Sequence, residues 1–235
     1  MHELGRRIVG GEIPIGASLP IEPELCRQHR VSRTTLREAI KKLHGKGLLS
    51  LAPKRGTRVR PESAWSQLDG DVMAWRLARG VDRDMVRQLY EIRAAFEPEA
   101  CRLAALNGTE ADHAEIDARF ADLAANHLDS SAVVDADVAF HMAVIAATRN
   151  VFFLGLGGAI RTTLGTSFEL GVPTKPFPSS ELRRHRLIKD AILARRGDLA
   201  AEHMRALLRN SETTLAAALA LPVRLAGRPR PRGRA

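Results

Sequence analysis

One segment near the N-terminus constrains this chain more than any other: Val31-Ser-Arg-Thr-Thr-Leu-Arg-Glu-Ala-Ile-Lys-Lys-Leu43. Ser32 is a strong helix N-cap, because its hydroxyl can accept from an amide of the first turn, so a helix is predicted from Arg33. Leu36, Ile40 and Leu43 recur at the helical period and make one inward stripe. Arg33, Thr34 and Arg37 share a different, polar face. A helix that buries one side and offers arginine and threonine from its first turns suits the DNA major groove. Arginine there pairs bidentately with guanine, and the helix N-terminus favours phosphate. The plain alternative is a capped surface helix with a solvated face.

The neighbouring pieces favour the first reading by their order. Glu22 to His29 has the pattern of a short supporting helix with Leu25 turned to the core. A turn of three or four residues then leads to the 33–45 helix, the spacing of a helix-turn-helix. Gly47 to Leu51, a Pro53–Gly56 turn and Thr57 to Val59 read as strand, turn, strand. Lys54, Arg55 and Arg58 make that hairpin basic, fit for a minor groove or the DNA backbone. Upstream, Met1 to Val9 carries only two turns of helical pattern (Leu4, Ile8, Val9), so the first helix is expected to begin before Met1. Pro14, Gly16 and Pro20 mark a turn-rich connection.

Charge divides the chain the same way. Of the net +9, residues 1–60 hold thirteen Lys/Arg against five Asp/Glu, whereas residues 61–222 hold eighteen against twenty-two. A basic head on an acidic body is the electrostatic footprint of a nucleic-acid module joined to something else. It argues against an architectural protein that coats DNA along its whole length. The tail 223–235 carries five Arg and no acid, interleaved with Pro and Gly, and is expected to be disordered. Cys26 and Cys101 have no close partners in sequence, so neither a zinc framework nor a disulfide is indicated. No apolar run reaches the ~18 residues of a membrane span and no leader pattern is present, so a cytoplasmic protein without a membrane partner is expected.

Aromatic residues are 4% of the chain. A core poor in aromatics and rich in Ala and Leu favours helices. The fold class expected is therefore mainly α: a winged helix-turn-helix over 1–61 and an all-α helical bundle over 81–222. Residues 62–80 would be a linker with a helical piece, anchored by Trp65 and Trp75. Helices are predicted over 82–107, 110–127, 131–147, 151–169, 179–195 and 198–220. Asp82 and Thr109 would cap two of them, Asn107-Gly108 would end one, and Pro98 would kink it. Gly171 to Pro178, with three prolines, is expected as a loop.

Two polar features stand inside this apolar body. Asp137 and His141, four apart, lie on one helical face, and carboxylate plus imidazole suits a divalent transition metal. A capping aspartate and a satisfied histidine are the alternative. Arg93 falls among the inward positions expected at Leu89, Ile92 and Phe96. A buried arginine needs an acid. That acid is either Glu97, four residues on, or the carboxylate of a small-molecule effector, which the planar guanidinium suits. No nucleophile elbow, phosphate loop or second acid-base pair accompanies these residues, so a metal-dependent enzyme is the weaker reading. One head offers few base contacts, so a homodimer on a palindromic operator is expected.

The head carries a resemblance. Leu19-Pro-Ile-Glu-Pro-Glu-Leu25, Val31-Ser-Arg-Thr-Thr-Leu-Arg-Glu-Ala39, Leu43-x-x-x-Gly-Leu-Leu49 and Arg55-Gly-Thr-Arg-Val59 together resemble the GntR family of bacterial transcription factors. The resemblance implies that Arg33, Thr34, Thr35 and Arg37 contact DNA, with Lys54, Arg55 and Gly56 as the wing tip. Ile21 stands where the family usually has a small polar cap, and Pro23 where some members have a DNA-contacting arginine. The body is similar to the FCD domain of the FadR-type subfamily. That similarity implies a divalent metal ion, zinc or similar, on Asp137, His141 and His185, a carboxylate-binding role for Arg93, and a repressor released by a small acid. The fourth histidine of that pattern is missing: Arg209-Asn210 stands at its place, with His203 two turns earlier. The linker Trp65-Ser-Gln-Leu-Asp-Gly-Asp-Val-Met-Ala-Trp75 resembles members that respond to sugar acids, which implies a small carboxylate or sugar-acid effector.

Overall fold

The computed structural model describes residues 1–52, 56–80, 83–129, 132–158, 161 and 177–220. The wing-tip residues Lys54 and Arg55, the expected cap Asp82, residues 171–176 of the expected loop and the tail lie outside the described residues. The head comprises α1 (His2–Val9), α2 (Glu22–His29), α3 (Arg33–Gly45), β1 (Leu49–Ala52) and β2 (Gly56–Val59). A 3-10 turn at Glu62–Ala64 leads to α4 (Gly70–Ala78). The body comprises α5 (Arg83–Asn107), α6 (Glu110–Asn126), α7 (Ala132–Ala147), a helical stretch at 151–158, α8 (Ser179–Leu193) and α9 (Gly197–Ala220). The expected fold class is thus the one observed.

Local chemistry sets the head. The Ser32 hydroxyl accepts from the Thr35 amide at 3.1 Å and starts α3. Leu36 and Leu43 are buried, while Ile40 is only partly so. Three residues separate α2 from α3, and Arg30 makes the reversal in the left-handed conformation, φ 52°. Gly47 turns the chain from α3 into the wing at φ 78°, where a Cβ would collide with the Ala64 carbonyl. β1 and β2 pair antiparallel, Leu49 opposite Val59 and Ala52 opposite Gly56. The 17–19 segment adds to the free edge of β2 through Leu19 N–H to the Thr57 carbonyl (2.8 Å) and Val59 N–H to the Ala17 carbonyl (3.0 Å).

The helical piece expected in the linker is α4, and it is packed into the head. Trp65, Val72 and Trp75 join Leu4, Ile8, Leu25, Leu36, Leu43 and Leu49 in one core. The Trp75 ring lies against Gly5 of α1, where any Cβ would clash with it. Asp69 caps α4 by accepting from the Asp71 and Val72 amides. Half-buried Lys46, the residue after α3, reaches Asp69 and Asp71 at 2.7 and 2.8 Å. The other side of α4 places Met73 and Leu77 beside Met85 and Leu89 of α5.

In the body, α5 packs along α9, α6 against α7, and α8 against α9. Phe140, Ile116, Ile188, Ile192 and Met204 are fully buried between them. Thr109 caps α6 in a reciprocal box with Asp112, and α5 ends at Asn107 as expected. Helix α5 runs on through Pro98 as one element. The residue whose carbonyl loses its amide partner there, Ala94, is exposed, where water supplies a donor. The expected inward stripe on α5 needs one correction: Ile92 is 47% exposed. The buried positions include Val86, Tyr90, Arg93, Phe96, Glu97, Cys101 and Ala104, and Leu89 is partly buried, so of the three expected inward positions only Ile92 faces out.

Candidate DNA interface and candidate metal centre

Helix α3 presents Arg33, Thr34, Thr35 and Arg37 on its exposed side. Thr35 also joins the cap, its hydroxyl 2.9 Å from that of Ser32. Arg37 donates from Nε to Glu22 of α2 at 3.0 Å, a pair open to solvent. The guanidinium is thereby swung toward α2 rather than splayed along α3. Helix α2 starts at Ile21 without a side-chain cap and has Pro23 in its first turn, so it adds no arginine to this face at its N-terminus. Gly56 opens β2 at φ 76°. Arg58, exposed on the same strand, is the basic wing residue among those described.

The second site lies inside the body, where α5, α7 and α8 meet. Asp137 and His141 come from α7 and His185 from α8, all three buried, and one ligand atom from each lies within 4.8 Å of the others. Their hydrogen bonds sort out which ring nitrogen is free. His185 Nδ1 lies 2.8 Å from the Glu181 carbonyl, to which it donates. Its Nε2 therefore turns a lone pair inward, 2.9 Å from Asp137 Oδ1. Neither of these two atoms makes a well-directed hydrogen bond within the described residues. Two acceptors at that separation, buried and unsatisfied, leave a place for a cation. His141 is arranged alike: Nδ1 meets Glu97 Oε2 at 2.8 Å, and Nε2 faces Asp137 Oδ1 at 3.9 Å. The residues present thus fit a divalent ion held by two imidazoles and a carboxylate. Without an ion, burial pushes the His185 pKa down, but the Asp137 carboxylate outweighs this and raises it. Burial likewise opposes the lowering of Asp137 that His185 produces.

The fourth corner differs from the pattern the sequence resembles. His203 is not part of the ligand group among the described residues. Asn210 of α9 instead donates to Glu181, the residue one turn before His185, and accepts from Arg184 at 3.4 Å. Arg93 sits beside the centre and is 3% exposed. Its Nε donates to Glu97 Oε1 at 2.5 Å, so the acid four residues on is its partner in the structure. Its guanidinium also lies 5.0 Å from the centre of the Tyr90 ring. Burial opposes ionisation of Glu97, yet Arg93 and His141 beside it together outweigh that and hold its pKa at about 2. Sequence reasoning named Glu97 only as a salt-bridge partner and passed over Tyr90 and Glu181. The signal for Glu97 was present, since the acid following an inward arginine by four residues shares its face.

Comparison with known proteins covers both parts of the chain. Residues 1–59 match the bacterial regulatory proteins of the gntR family, and residues 88–210 match the FCD domain. The chain belongs to the GntR family. It is 33% identical over 198 residues to the galactonate operon transcriptional repressor of Escherichia coli K12, covering 84% of this chain and 86% of that protein. It is 34% identical over 213 residues to YieP, an uncharacterized HTH-type transcriptional regulator of the same organism, covering 90% and 91%. Among solved structures, Lar of Listeria monocytogenes aligns with a TM-score of 0.61 at 18% identity, over 92% of this chain and 97% of that one. E. coli McbR/YncC aligns with a TM-score of 0.55 at 18% identity, over 92% and 94%. These likenesses support the fold. As a GntR-family member the chain is a transcriptional regulator with a DNA-binding head, not an enzyme. No helix among the described residues is long and apolar enough to cross a membrane.

Proposed function

We propose that this regulator is a homodimeric repressor of a sugar-acid or related carboxylate operon, released from a palindromic operator by a small acid bound in the body. Arg33, Thr34, Thr35 and Arg37 read the major groove, and the Lys54–Gly56 turn lies on the flanking backbone or minor groove. Asp137, His141 and His185 hold one divalent ion, zinc or similar. The observation that carries this reading is the pair of unsatisfied buried acceptors, Asp137 Oδ1 and His185 Nε2, 2.9 Å apart. A bound divalent ion supplies a Lewis-acidic anchor for carboxylate and hydroxyl oxygens. Arg93, beside the centre, offers its remaining N–H groups to the effector carboxylate while its Nε stays on Glu97. The galactonate repressor relationship favours a sugar acid.

Operator DNA from upstream of the regulator's own gene, galactonate and zinc suffice for the test. Zinc-loaded protein should release that DNA as galactonate is added, and His141→Ala should bind neither zinc nor galactonate. Equal galactonate affinity in zinc-loaded and metal-stripped protein would remove the ion from effector binding. Protein that ignores galactonate but responds to another sugar acid or hydroxy acid would move the substrate class while keeping the site.

A further inference from the structure

Among the described residues, Glu97 is the acid that touches both halves of the proposed effector centre. Its Oε1 accepts from Arg93 Nε at 2.5 Å, and its Oε2 lies 2.8 Å from His141 Nδ1. Glu97 is 1% exposed, between Arg93 at 3% and His141 at 2%. A surface i,i+4 pair would leave such a carboxylate free to swing. Here the carboxylate is shut off from bulk solvent, and its two short contacts go to different oxygens, with Arg93 Nη2 reaching Oε2 only at 3.5 Å. We infer that Glu97 is the positioning residue of the metal centre, its carboxylate fixing the His141 ring so that Nε2 faces Asp137 and His185. The inference rests on the metal reading proposed above and deepens it.

The physical grounds are geometric. A neutral imidazole carries one proton, and the nitrogen that donates it decides which nitrogen is left to coordinate. With Nδ1–H held by a carboxylate, Nε2 must carry the lone pair, and Nε2 is the atom on the side of Asp137. His185 reaches the same tautomer by a different route, donating Nδ1–H to the backbone carbonyl of Glu181 at 2.8 Å. A backbone carbonyl cannot be changed by mutation, but Glu97 can. The carboxylate also makes the imidazole a stronger donor to a cation than a neutral partner would. Because the same carboxylate neutralises Arg93, the arginine and the histidine form one connected unit. Anything that draws Arg93 away from Glu97 alters what His141 leans on.

Zinc titration of the full-length protein tests this. Glu97→Gln removes the charge. Glu97→Asp keeps a charge for Arg93 but withdraws it from His141 by one methylene. Each should weaken zinc binding roughly 10- to 100-fold, the usual effect of losing an outer carboxylate partner. Glu99→Gln makes the same charge change two residues along α5, where the acid pairs with Arg102 near the surface, and should leave zinc affinity unchanged. A role confined to packing would lower the melting temperature of the Glu97 variants without touching zinc affinity. Should both variants fail to fold, the wild type still decides: loaded with cadmium-113, its His141 should show metal coupling through Nε2 and a slowly exchanging Nδ1 proton. Coupling through Nδ1, or unchanged zinc affinity in folded Glu97→Gln and Glu97→Asp, overturns the role of Glu97 and leaves the metal centre standing. Wild-type protein that takes up neither zinc nor cadmium overturns the metal centre, and this inference with it.

Discussion

Replacing Arg37 by alanine separates the folding role of α3 from its reading role. In the free protein Arg37 gives one charged hydrogen bond to Glu22 at 3.0 Å, with side chains 66% and 29% exposed. A pair this open to water contributes ~0–1 kcal/mol, so the variant should melt within a few degrees of wild type. On DNA the same guanidinium would leave Glu22 for guanine, and a bidentate interaction of that kind is worth ~1–3 kcal/mol. Two half-sites double the effect to ~2–6 kcal/mol, a drop of roughly thirtyfold to ten-thousandfold in operator affinity. Glu22→Gln makes the complementary change. It releases Arg37 and removes a negative charge facing phosphate, so affinity for random DNA should rise. Fluorescence anisotropy on operator and random duplexes, at several salt concentrations, measures all of this. If Arg37 reads a base, its alanine variant binds the operator more weakly and random DNA as before. If it holds a phosphate, the variant binds both more weakly and the salt slope flattens by about two, one for each half-site. Unchanged operator affinity in both Arg37→Ala and Arg33→Ala would refute the assignment of α3 as the reading helix.

Light scattering of the full-length protein at micromolar concentration should give a dimer mass, and a monomer there would count against the palindrome-reading arrangement. Leu43→Ala, at a position with no exposed surface, should cost the head ~2–5 kcal/mol, seen as an earlier calorimetric transition while the body melts as before. Removing zinc with a chelator should lower the melting temperature of the body and zinc should restore it, because an ion bound only by the folded state stabilises by about 4 kcal/mol at a thousand times its Kd. Asp112→Asn should weaken the start of α6 by ~1 kcal/mol at neutral pH. Hydrogen bonds from Thr109, helped by Arg149, hold the Asp112 pKa at about 2, below an ordinary aspartate near ~3.9. Its contribution is therefore complete above that ordinary value and fades as the pH falls toward 2. Wild type and Asp112→Asn should accordingly converge in stability during acid titration.

The head was legible because each of its decisions is local. A serine cap, a leucine stripe and a glycine turn act over a few residues, and α3 begins and ends where they dictate. The family resemblance then supplied roles for exposed residues whose chemistry alone allows several. The body was less legible for a physical reason. Helix α5 is 25 residues long with small residues on several sides, so more than one face can pass for the inward one. Ile92 seemed a core residue and is exposed, while the charged pair Arg93 and Glu97 is buried. Nothing in sequence separates an i,i+4 ion pair in water from one in a core. The decision belongs to α7 and α8, which bring His141, Asp137 and His185 against that face. Asp137, His141 and His185 could be named because donor chemistry and the family pattern agreed on them. Tyr90 and Glu181 could not, since each is defined by what other helices place beside it.

The packing of α4 says how body and head feel one another. Its Val72 and Trp75 are part of the head core, and its Met73 and Leu77 sit against Met85 and Leu89 in the first turns of α5. One helix of nine residues therefore belongs to both units. Trp75 fits against Gly5 with no room for a Cβ, and Lys46 ties the start of α4 to the end of α3 through Asp69 and Asp71. Close-packed contacts of this kind transmit displacement rather than absorb it. Gly80, two residues past the end of α4, has φ 123°, a conformation that side chains rarely adopt. Leu89 lies one helical turn before Arg93, and Glu97 one turn after it. Were an effector at Arg93 to rotate α5, Leu89 would press on Leu77, and the displacement would be passed through α4 to Trp75 and Lys46 at the end of α3. A conventional flexible linker would lose the same displacement to entropy.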